Sequence, residues 1–129
     1  MPYTGTIIEE SLENTETLKA LKVLSTKVEE VTEEHKTPWV KQWTLHQVEI
    51  QENQAELVAD KLSHSLDPNH SWYADFKNHD THFIIFRDKV FKIDRAYPNE
   101  YLAVTEYGMK LGIPAYQLDF APDIQEWER

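Results

Sequence analysis

The histidines are the side chains best placed to do chemistry near neutral pH, and the chain has six of them. Two crowd into Asn78-His79-Asp80-Thr81-His82, beside an aspartate. Imidazoles that chelate one metal from a strand must share a face, which requires a spacing of two. His79 and His82 are three apart, a helical spacing in a stretch whose neighbours alternate like strands. Asn78 and Asp80 are residues that mimic backbone turn bonds. The segment therefore reads as a hairpin turn. Neither a metal nor a cofactor is expected.

His46 is the more promising group. In Trp43-Thr44-Leu45-His46-Gln47-Val48-Glu49-Ile50 it shares a strand face with Thr44, Val48 and Ile50. On a core face an imidazole needs a hydrogen-bond partner, and a structural histidine satisfied by a backbone carbonyl is the plainer reading. The sharper reading is a general base working with Asp75 or Glu49. Trp43, Trp72 and Tyr73 fall on neighbouring hairpins and, with His46 and Asp75, are the candidates to line a ligand pocket, although aromatic clusters more often form core. The adjacent pairs Glu9/Glu10, Glu29/Glu30 and Glu33/Glu34 point to opposite faces of a strand, which is poor geometry for sharing a proton. Phosphate-cradling loops, zinc-protease helices, nucleophile elbows and EF-hand loops have no counterpart in the sequence.

The elements that must carry these groups are legible from pattern. Tyr3 to Glu10 reads as an opening strand rich in Thr and Ile. A helix follows, with Ser11 or Asn14 as its cap. Lys22 to Thr32 reads as a strand, with one long helix from Asn14 to about Glu34 as the alternative, because Leu21, Leu24, Val28 and Val31 also fit helical spacing. A polar connection then leads into a second strand from Trp39 to Gln51. Asn53 and Glu56 resemble a capping box. Ala55, Val58, Ala59, Leu62 and Leu66 form the apolar stripe of the clearest helix. Trp72, Ala74 and Phe76 alternate with Tyr73, Asp75 and Lys77. Phe83 to Phe86 is a continuous apolar run, as in a strand buried on both faces, and Val90 to Asp94 resumes the pattern. A last helix runs between Pro98 and the cap at Gly112. Leu118, Phe120, Ile124 and Trp127 suggest a tail whose first part packs on the body.

The resulting order is β-α-β-β-α-β-β-β-α within one domain of 129 residues. It implies an α+β fold, mostly antiparallel, with helices on one face of the sheet. The expected plan is a ferredoxin-like core with an added strand and a C-terminal helix. The 23 acidic against 13 basic residues, a formal charge of -10, disfavour nucleic acid and anionic membrane surfaces as partners. The chain has no cysteine, which excludes disulfides, thiolate zinc sites and cysteine nucleophiles. The first residues lack the pattern of a signal peptide and no window is apolar enough for a membrane helix, so a cytoplasmic protein is expected.

Tyr3 to Asn14 and Gly112 to Phe120 together resemble a family of small prokaryotic single-domain proteins. The resemblance implies a bacterial or archaeal cytosolic origin and assigns no activity or residue role. Three functions therefore stand open. They are a non-enzymatic binding or interaction module, which the missing catalytic signatures favour, a small-molecule enzyme around His46, and a mainly structural protein, such as a homodimer that pairs sheet edges or faces.

Overall fold

The computed structural model describes residues 2–31, 41–70 and 72–113. The connection around Trp39 and the expected packing of the C-terminal tail lie outside these residues. The described elements are β1 (Tyr3–Ile8), α1 (Glu16–Lys19), β2 (Lys22–Glu30), β3 (Gln42–Ile50), α2 (Ala55–Ser65), β4 (Tyr73–Lys77), β5 (Thr81–Phe86), β6 (Lys89–Asp94) and α3 (Tyr101–Lys110). The strands form one sheet in the order β2-β3-β1-β4-β5-β6, with every neighbouring pair antiparallel. β1 lies inside the sheet because α1 and α2 each carry the chain across it. The strand reading of residues 22–30 holds over the long-helix alternative. The α1 helix stops after one turn, at Ala20, and Leu24 and Val28 are exposed.

The apolar stripe of α2 is buried as its spacing requires: Ala55, Val58, Ala59, Leu62 and Leu66 all enter the core. α1 sits beside it, with Leu18 in the same cluster and Thr17 Oγ1 at 3.3 Å from Ser65 Oγ. The expected capping box is absent. Asn53 lies inside a 3-10 turn, Gln54 precedes the helix without a side-chain cap bond, and Glu56 instead accepts from Lys92 on β6.

Helices on a single face of the sheet proved incorrect. Phe83 and Ile85 join the cluster of α2, whereas Ile84 and Phe86 join a second cluster with Tyr101 and Val104 of α3. The alternation of a strand sends successive side chains to opposite faces. A run of four apolar residues therefore requires a layer on each side, and α3 provides the second. Phe86 and Phe91 pack edge-on against Tyr107 of α3. Gly112, at φ 93°, closes that helix in the left-handed region, as its cap position foretold. Gly5 has a different task. A side chain there would collide with the Asp75 carbonyl and Phe76, so only glycine permits this approach of β1 to β4.

Candidate functional site

Two histidine–carboxylate groupings stand on different parts of the sheet. The first is built where β1 ends. Beyond Ile8 a 3-10 turn, Glu9–Ser11, carries two carboxylates over β3. Glu10 accepts from Thr44 twice, from its N–H at 2.6 Å and its hydroxyl at 2.7 Å. Glu9 Oε1 lies 3.0 Å from His46 Nε2, and Thr26 Oγ1 of β2 lies 2.9 Å from His46 Nδ1. A carboxylate accepts, so Nε2 donates to Glu9, and Nδ1 pairs with the Thr26 hydroxyl, which can either donate or accept. The partners of His46 are thus side chains, not the backbone carbonyl expected. Its side chain is 13% exposed, against 49% for Glu9, so the group opens to water on the Glu9 side.

The second grouping lies beneath α3. His82 Nε2 is 2.7 Å from Asp75 Oδ2 and its Nδ1 is 3.0 Å from the Tyr101 hydroxyl. The ring thus bridges the Asp75 carboxyl and the Tyr101 hydroxyl, one at each nitrogen. All three side chains are buried. β4 and β5 bring the acid and base to one face, and Tyr101 opens α3 directly above them. Across the sheet the polar line continues. Thr6 is the cross-strand neighbour of Asp75 and accepts at 2.7 Å from Gln47 Nε2, which is exposed.

The Asn78–Thr81 segment is a turn. Asn78 N–H donates to Thr81 O, and Asn78 Oδ1 accepts from the N–H groups of Asp80 and Thr81. His79, within this turn, lines an open cleft of about 300 Å³ with Asp80, Asp94, Arg95 and Ala96. His82 is no part of the turn. It enters β5 and becomes one of the most buried polar residues in the structure. Among the described residues no group of three or more acidic, His or Cys side chains could hold a metal ion. No described helix is long and apolar enough to cross a membrane.

No protein-family model, curated protein or solved structure matches this chain. The assignment of a site therefore rests on geometry. The five residues singled out in the sequence do not converge on one pocket. Trp43 and Trp72 meet edge-on at 5.8 Å in the core cluster that includes α2. Tyr73 packs on Phe86 in the α3 cluster. Asp75 pairs with His82 and not with His46, and Glu49 faces Lys22 at 3.4 Å. His46 alone stands at an open surface, next to β2, a strand exposed over nearly its whole length. Sequence reasoning missed Glu9, Thr26 and Tyr101 as partners. It had a usable signal for His82, because His82, Ile84 and Phe86 alternate on one strand face.

Proposed function

We propose that the protein is a non-enzymatic interaction module on a ferredoxin-like core, and that it engages a partner protein along β2. The ferredoxin-like reading is supported by the first six elements, β-α-β-β-α-β, with their strands in the order β2-β3-β1-β4. β5 and β6 extend that core by two strands rather than one. The observation that carries the functional reading is β2 itself. Among the described residues it is a nine-residue edge strand, on which Val23, Leu24 and Val28 are 43%, 50% and 57% exposed. A long edge that exposes Val23, Leu24 and Val28 is a template for strand addition, while Lys22, Lys27, Glu29, Glu30 and the register shift after Val23 restrict which strands can pair with it. The two imidazoles point away from catalysis. Each ring nitrogen of His46 and His82 is already engaged by a side chain of the same protein, whereas a general base must reach a substrate proton.

The test is a photo-activatable cross-linking residue at position 28, introduced into the full chain in cells of the source organism. Asp60, exposed on α2, is the control position. A discrete cross-linked product from position 28, absent from position 60, is expected. No product at position 28 contradicts the reading.

A second reading, a small-molecule enzyme around His46, is favoured by one feature. Glu9, His46 and Thr26 follow the order acid, base, hydroxyl used to activate a nucleophile. Thr26 lies in the middle of an open strand, where water competes for any acyl group. Turnover of activated esters that vanishes with Thr26→Ala, the fold being intact, would favour this second reading over the first.

A further inference from the structure

The identity of the partner on β2 follows from the charge pattern of the strand, given the interaction reading above. Lys27 and Glu29 lie two residues apart on the same strand face, and their charged groups are 3.2 Å apart. Val28, between them, projects from the opposite face, where its cross-strand neighbour is Thr44. A register shift interrupts the ladder between Val23 and Ser25, so only the stretch from Ser25 onward presents a regular edge.

We propose that β2 pairs with β2 of a second copy of this chain, antiparallel, about a two-fold axis through Val28. Directly opposed residues in an antiparallel ladder share a face, so such an axis must pass through a residue and not between two. An axis at Lys27 sets lysine against lysine, and one at Glu29 sets glutamate against glutamate. Like charges directly opposed are destabilising. An axis at Thr26 requires Leu24 opposite Val28, and the register shift puts those two out of step. The axis at Val28 sets Val28 against Val28 on one face. On the other it sets Lys27 of each copy against Glu29 of the other. With the contacts inside each copy these charges form a square of alternating sign. This is the self-complementary pattern of an isologous interface, in which residue i meets j and j meets i. The local attraction opposes the repulsion between two bodies that each carry a formal charge of -10.

Charge exchange tests the register. Lys27→Glu and Glu29→Lys each turn both cross-copy contacts repulsive, but a mixture of the two variants restores both contacts in a heterodimer. Sedimentation velocity over a concentration series is expected to give a reversible dimer for the parent chain. Each variant alone should bind itself roughly tenfold or more weakly, and the equal mixture should recover the dimer. Circular dichroism establishes that each variant keeps its fold. Val28→Cys, in a chain without other cysteines, should oxidise to a disulfide-linked dimer. A parent chain that stays monomeric, or variants that self-associate like the parent, would overturn the proposal. The cross-link at position 28 separates the two levels. A product of twice the chain mass supports the second copy. A product of another mass overturns the second copy but leaves the interaction reading in place, and no product overturns both.

Discussion

His46 and His82 occupy the same chemical setting, each between a carboxylate and a hydroxyl, and differ in their distance from water. Asp75, His82 and Tyr101 are sealed between β4, β5 and α3, whereas Glu9, His46 and Thr26 lie where β3 meets an exposed edge. A polar group in the interior must be satisfied by protein, and every bond it makes is worth more there than in water. The buried grouping therefore fixes how α3 docks on the sheet. The open grouping holds its strands at little energetic cost, which suits the proposed recognition along the neighbouring edge. Chemical resemblance alone does not separate the two roles, but burial does.

The largest expected effect lies in the buried grouping. Asp75→Ala leaves the buried His82 ring without its carboxyl partner and should cost about 2–3 kcal/mol in urea unfolding, the upper part of the range for a buried polar group left unsatisfied. A loss below about 1 kcal/mol would mean that water reaches the site and that the contrast with His46 is false. Tyr101→Phe removes only the hydroxyl at His82 Nδ1 and should cost about 1–3 kcal/mol by the same measurement. His46→Gln is expected to cost about 1 kcal/mol or less, because its partners keep access to solvent. Equal losses at His46 and His82 would erase the distinction.

The smallest effect is a pH dependence. Burial pushes the Asp67 carboxyl up. Hydrogen bonds from His70 and the Asn69 N–H, together with attraction to His70, outweigh it and hold the carboxyl below its ordinary range. The folded chain thus binds this proton less readily than the unfolded chain. The stabilisation is complete above the ordinary carboxyl range and is lost as the pH falls through the lowered value. Asp67→Asn should flatten the acid limb of a stability profile and leave the neutral plateau little changed in slope.

Much of the fold was legible in local pattern. The stripe of α2 and the cap at Gly112 depend on neighbours in sequence and match the structure, whereas the apolar–polar alternation of β4 marked a strand but not its burial on both faces. The double burial of Phe83 to Phe86 was also legible. No single layer can cover both sides of a strand, so that run itself demands a helix on each face. The sites were less legible because their partners are remote. Glu9 is 37 residues from His46, and Tyr101 is 19 residues from His82. Only the sheet order brings them together. His82 was hidden differently, by its nearness to a genuine turn, although its alternation with Ile84 and Phe86 marked it as a strand residue.

The open edge, and not the buried Asp75–His82–Tyr101 grouping, is the surface at which this protein is proposed to meet another molecule. Backbone amide proton–nitrogen NMR spectra of the full chain across a dilution series test it most directly. The amides of Thr26 to Glu30 are expected to shift with concentration while those of Asp75, His82 and Tyr101 stay fixed. Stationary β2 signals, with concentration-dependent shifts at the α3 side of the sheet, would contradict it.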